Sequence, residues 1–163
     1  MRADGEKSVL PDEVAVDSFT EWFRDAEPRL RNAMTASFGF QVGKEAAADA
    51  LSHAWEHWDL VRAKPNPLGY VYGIGRNKGR RMAARRRPVF LDVPVQRLPN
   101  VEPRLPAAIA ALPEKQRTVV TLVYAYEWSF SEVAELMGTA KTTVQNHGER
   151  GVKKLRRTLG VEL

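Results

Sequence analysis

Residues 130–150 hold side chains suited to hydrogen bonding with the edges of DNA bases. Ala134, Gly138 and Val144 stand four and six apart. That is helix-turn-helix spacing: a small residue where two helices cross, a glycine for a left-handed turn, an apolar residue in the second helix. Val133, Leu136, Met137 and Val144 would seal the core between those helices. The outward positions are then Lys141, Thr142, Thr143, Gln145, Asn146 and Arg150. Gln and Asn pair bidentately with adenine in the major groove, and Lys or Thr reaches phosphates or other bases. An ordinary helical hairpin with a polar exterior is the plainer reading. The spacing and the tail Lys153-Lys154-Leu155-Arg156-Arg157 favour DNA.

A second cluster calls for a polyanion. Arg76, Lys78, Arg80, Arg81, Arg85, Arg86 and Arg87 fall within one short run that no acid interrupts, with Asn77 among them. A solvated helix face normally mixes signs, whereas counterion release from phosphates would offset the repulsion here. Trp55, Trp58, Tyr70 and Tyr72 lie just upstream, and aromatics beside a basic groove suit unstacked bases of single-stranded DNA. Trp55 and Trp58 fall on an apolar stripe, so both are expected in the core.

Other chemistries find little support. The chain has no cysteine, which removes disulfides, thiolate metal sites and thiol catalysis. His53 and His57 are four apart, but the motif of a zinc protease is missing, and they read as polar helix-face residues. A nuclease would need clustered carboxylates near the basic run, and Asp92 is the only acid in residues 64–99. No metal, no cofactor and no enzymatic activity are expected. No apolar run approaches the roughly 18 residues of a membrane span, and the N-terminus lacks a signal-peptide core. A cytoplasmic protein with no membrane insertion is the expectation. Net charge is −5 over residues 1–63, +8 over 64–99 and +2 over 100–163, which points to separate surfaces for separate partners.

The elements that must position these clusters are all helices. The first is expected over residues 17–38, opened by a Ser18/Glu21 capping box and interrupted at Pro28. A turn at residues 39–43 precedes a second helix over 44–61. Its apolar stripe holds Ala47, Ala50, Leu51, Ala54, Trp55 and Trp58, and its polar stripe holds Asp49, Ser52, His53 and Glu56. Asn66 caps a third helix with Pro67 at its first position, running to residue 87. Gly73, Gly75 and Gly79 weaken that helix or allow close packing. Prolines at 88, 94, 99, 103 and 106 mark an extended linker. Beyond it come a short helix near Leu105, one opened by Pro113, one capped by Ser129 and Glu132, and a final helix from about 140 to 159 stopped by Gly160. The fold class is all-α. Two small helical domains (17–87 and 105–163, the latter with the helix-turn-helix) are joined by an extended Pro-rich linker (88–104) and preceded by a flexible tail (1–16).

The order of these parts resembles the extracytoplasmic-function sigma factors, the smallest class of promoter-specificity subunits of bacterial RNA polymerase. The stretch from Ala48 to Trp58, Ala-Asp-Ala-Leu-Ser-His-Ala-Trp-Glu-His-Trp, is similar to their polymerase-docking helix, D-L-V-Q-E-x-F-x-x-x-W. The stretch Asn66-Pro67-Leu68-Gly69-Tyr70-Val71-Tyr72 through Arg76-Asn77 resembles W-L-Y-x-I-A-x-N, which reads the −10 element. Leu112-Pro113-Glu114-Lys115-Gln116-Arg117 resembles the L-P-x-x-x-R opening of the C-terminal domain. Thr143-Val144-Gln145-Asn146-His147 is similar to the helix that reads the −35 element. The resemblance covers about residues 17–160. It departs at Ser52-His53, where Gln-Glu is common, at Gly79-Arg80, where an Asp often follows the Asn, and at Ala140, which has no capping hydroxyl.

The resemblance implies partners and roles. Core polymerase would meet Asp49, Ser52, His53 and Glu56, and Arg76, Asn77, Lys78, Arg80, Arg81 and Arg85 would grip the melted −10 strand. The loop over residues 59–67 would receive a base turned out of the stack. The linker would thread towards the nascent RNA, and the helix-turn-helix would read the −35 duplex. An anti-sigma factor is a further partner the resemblance allows. A helix-turn-helix regulator with no sigma role is the alternative, and its dimer should read a palindrome.

Overall fold

The computed structural model describes residues 11–86 and 102–161. Helix α1 spans Pro11–Phe38, six residues longer at its start than expected. Ser18 is not its cap: it lies inside the helix, and its hydroxyl accepts a hydrogen bond from Trp58 Nε1 at 3.3 Å. Pro28 also lies inside α1 and forms no boundary. The turn after α1 shrinks to Gly39, whose φ of 83° is a left-handed value that suits glycine.

Helix α2, Phe40–Glu56, therefore begins earlier than expected and takes in Gly43. A Cβ on Gly43 would sit 2.6 Å from the Thr35 backbone nitrogen, so this glycine is what lets α2 close on α1. The second expected helix breaks at His57, and a short α3, Trp58–Arg62, follows. Helix α4, Pro67–Arg85, starts as anticipated: Asn66 Oδ1 accepts the Gly69 N–H at 3.0 Å, with Pro67 in the first turn. Gly75 packs on Met34 and Ala50, and Gly79 packs against the Phe38 ring, whereas Gly73 faces open space. Two of the three glycines thus serve close packing.

In the C-terminal group, α5 spans Leu105–Ala110 and α6 spans Glu114–Val120, continuing into a π-helical turn over Thr121–Ala125. Ser129 and Glu132 form a full capping box on α7, Phe130–Met137. Gly138 follows with φ 62°, and α8 runs Lys141–Leu159 to Gly160 at φ 68°. Gly148 and Gly151, costly in an isolated helix, are buried here: a Cβ on Gly151 would meet Val120 Cγ2 at 2.6 Å. They are the contact on which α8 crosses α6.

The two helical groups share one core. Leu30, Met34, Val61 and Val71 from the first join Val119, Leu122, Val133 and Val144 from the second. At the junction the Ser37 and Thr118 hydroxyls, both fully buried, lie 2.8 Å apart. Arg117 donates from Nε to the Ser37 carbonyl and from Nη1 to those of Ala110 and Leu112. Burial pushes the Arg117 guanidinium pKa below its ordinary value. The described residues contain no strand and no helix long and apolar enough to cross a membrane.

Candidate nucleic-acid interface

The helix-turn-helix is formed as its spacing implied. Val133, Leu136 and Val144 are buried, Ala134 is buried at the crossing, and Met137 packs on their edge. Lys141, Thr142, Thr143, Asn146 and Arg150 are exposed on α8 and Gln145 is half-buried, so the six form one outward polar face. Ala140 caps α8 without a side-chain hydrogen bond. His147 is half-buried. Burial lowers its pKa, and Lys115 and Arg150 push it the same way, favouring the neutral ring.

Helix α4 carries its cations on two faces. Lys78, Arg81 and Arg85 line one cleft together with Arg86 and Asp49. Arg81 donates to the Asn77 carbonyl one turn back, and Arg86 pairs with Glu45 at 2.7 Å. Asn77 is exposed. Arg76 and Arg80 point the other way, into the C-terminal group. Both donate to Glu114, from Arg76 Nε to Oε1 at 3.3 Å and from Arg80 Nε to Oε2 at 2.9 Å. Arg87 lies outside the described residues.

The four residues expected to meet polymerase do not share one cleft. Ser52 and Glu56 line a groove of about 570 Å³ between α1 and α2, floored by Phe19, Phe23, Leu51 and Trp55. Asp49 faces the α4 cations instead, and His53 stacks on His57 at 4.3 Å between ring centroids. Trp55 was expected in the core and is 46% exposed, with its ring 5.0 Å from Phe19. Trp58 is in the core at 6% exposure. The stripe failed for Trp55 because its ring lies against Phe19 in the open groove between α1 and α2 rather than beneath α1. Tyr72 is also core: burial raises its pKa, partly offset by the Ser37 hydroxyl beside it. Tyr70 is half-buried under Lys64, whose ammonium sits 4.7 Å from the ring centre.

Sequence reasoning missed the residues that join the two groups. Glu114 was read only as part of a motif, Glu135 not at all, and Arg29 only as charge. The Asn66 side-chain amide donates to the Glu135 carbonyl at 2.7 Å, and Arg29 lies 5.2 Å from the Trp128 ring centre. Phe19 and Phe23, one turn apart on α1, were a usable signal for the docking groove.

Two basic faces lie on an all-α scaffold, and one of them is a formed helix-turn-helix, an element suited to reading duplex DNA. Residues 103–155 match the family Sigma-70, region 4. The fold is similar to that of the sigma factor RpoE solved in complex with the anti-sigma factor NepR from Bartonella quintana. The TM-score is 0.62 at 20% identity, covering 90% of this chain and 99% of that one. No curated protein sequence matches. The family match spans the C-terminal group alone, and over the rest of the chain the likeness is one of fold.

Proposed function

We propose that this chain is an extracytoplasmic-function sigma factor of RNA polymerase and works through three surfaces on two modules, residues 17–87 and 105–163. The apolar groove between α1 and α2, rimmed by Ser52 and Glu56, docks on core polymerase, with Asp49 and His53 beside it. Phe23 and Trp55 supply what sequence reasoning left out, rigid aromatic anchors in a partly solvent-exposed groove. The α4 cations hold the backbone of the melted −10 strand, an electrostatic contact without sequence preference. The α8 face reads the −35 duplex, where Gln145 and Asn146 discriminate bases.

The observation that carries this reading is the coincidence of the region 4 match with a formed helix-turn-helix, Gly138 left-handed and the α8 polar face outward. Catalysis belongs to polymerase; this chain supplies recognition and melting. It acts where the chromosome and polymerase are, in the cytoplasm. An anti-sigma factor is a further partner, by analogy with the RpoE complex. Run-off transcription by core polymerase on a promoter library tests the proposal. Selected templates should share two unlike elements about 25 base pairs apart, whereas palindromes or no enrichment would contradict it.

A further inference from the structure

We infer that His147, Lys115 and Arg150 form a subsite for one backbone phosphate at the edge of the α8 reading face, and that it takes up a proton when duplex DNA binds. This rests on the proposed reading of a duplex by α8. His147 stands one turn before Gly151, where α8 touches α6: a Cβ on Gly151 would lie 3.4 Å from Gln116 Cβ. The ring therefore sits at the crossing of the two helices, half-buried, while Lys115 of α6 and Arg150 of α8 beside it are exposed.

Three groups that can carry positive charge converge here from two helices, with no carboxylate set among them. From α6 the charge facing His147 is Lys115, and from its own helix it is Arg150. Helix α7 meets this part of α8 through the Phe130 ring, which packs on Gly148. Glu149, two residues on from His147, lies about 200° around the helix. Among the described residues neither Lys115 nor Arg150 has an ion-pair partner.

An anion is what such a cluster lacks. Arg150 belongs to the face proposed to meet the major groove, so the anion beside it in a complex is a phosphate of the DNA backbone. Phosphate accepts charge-assisted bonds from ammonium, guanidinium and imidazolium groups alike, and contacts of this kind fix register rather than sequence. The histidine adds what a third Lys or Arg would not. In the free chain burial, and then the two neighbouring cations, disfavour its charged form. A phosphate among the three groups reverses the sign of that field and favours the imidazolium. Affinity should then rise as pH falls through the pKa of the complex and level off below the lower pKa of the free chain.

The test uses the full chain and a duplex selected on it from a random pool, with fluorescence anisotropy as the readout. Affinity should rise about fivefold from about pH 8 to about pH 6, within the tenfold that each unit of pKa difference supplies. Calorimetry near neutral pH, in buffers of different ionisation enthalpy, should show net proton uptake by the parent chain. His147→Gln should lose both the rise and the uptake. His147→Arg, charged throughout, should bind at the upper end of the range as tightly as the parent does at the lower end. The salt dependence of the parent should also steepen as pH falls, by up to about 0.9 in the slope of log affinity against log salt, the share of one phosphate contact. If the duplex binds equally well across the range, or His147→Gln keeps the proton uptake, the subsite is wrong and the α8 reading stands. If no form binds any duplex at low salt, the α8 reading falls and takes the subsite with it.

Discussion

Helices α4 and α8 both carry the cations and amides proposed to meet nucleic acid, and they are held in opposite ways. The reading face of α8 looks outward, and the helix is fixed from behind by Gly148 and Gly151 packed on α6. Two of the cations of α4, the half-buried Arg76 and the exposed Arg80, are bonded to Glu114, and the others, Lys78, Arg81 and Arg85, line an open cleft. The difference fits the role proposed for each. A duplex presents its groove edges before any strand separates, so α8 can be ready in advance. A melted strand exists only once polymerase has engaged, and a fully bared basic helix would bind any nucleic acid it met.

Charge reversal on α4 should have the largest effect. Arg80→Glu with Arg81→Glu should abolish open-complex formation, a loss of about a hundredfold or more from the phosphate contacts involved, while leaving polymerase binding intact. Permanganate reactivity of the −10 thymines reads this, and retained melting would remove α4 from the mechanism. The next effect falls on the support of α8. Gly151→Val would drive a branched side chain into Val120 and should cost about 1–3 kcal/mol of stability. Thermal unfolding would show it, together with weaker duplex binding and no change at the α1–α2 groove.

A more selective variant sharpens the contrast. Gln145→Ala or Asn146→Ala should flatten base preference at the −35 element by about 1–3 kcal/mol of discrimination per lost bidentate pair. Competition among duplexes with single base changes measures that. Equal losses on all sequences would mean these side chains touch only the backbone. The smallest effect is at the α7 cap, where Ser129→Ala should cost about 1 kcal/mol. Its hydrogen bonds to the Ser129 backbone and hydroxyl hold the Glu132 carboxyl below the usual range. A depressed acid stabilises the fold above its unfolded pKa, so this contribution should fade as pH falls through the acidic range. In Ser129→Ala the acid-dependent part of the melting curve should shrink.

How far these faces could be read from sequence depended on whether neighbours in the chain or in space set them. The Asn66–Pro67 start of α4, the Ser129–Glu132 box and the Gly138 turn are local bonds between residues a turn apart, and all formed as expected. The exposed face of α8 follows from the same locality. Ser18 misled because its hydroxyl is used by Trp58, forty residues away, rather than by its own helix end. Trp55 misled because helical period places a side chain on a stripe but does not say which part of that stripe a neighbouring helix covers. Glu114 was least legible: its partners lie in another helix more than thirty residues back along the chain, and a charge in a short motif says nothing of which distant arginines it meets.

The central claim is that this chain is a polymerase subunit, and association with core RNA polymerase tests it most directly. Purified chain and core should co-elute as a one-to-one complex that a second sigma factor displaces. Trp55→Ala, which removes an aromatic from the α1–α2 groove, should weaken it. Failure to co-elute at both low and moderate salt, with a helical and monodisperse chain, would contradict the account.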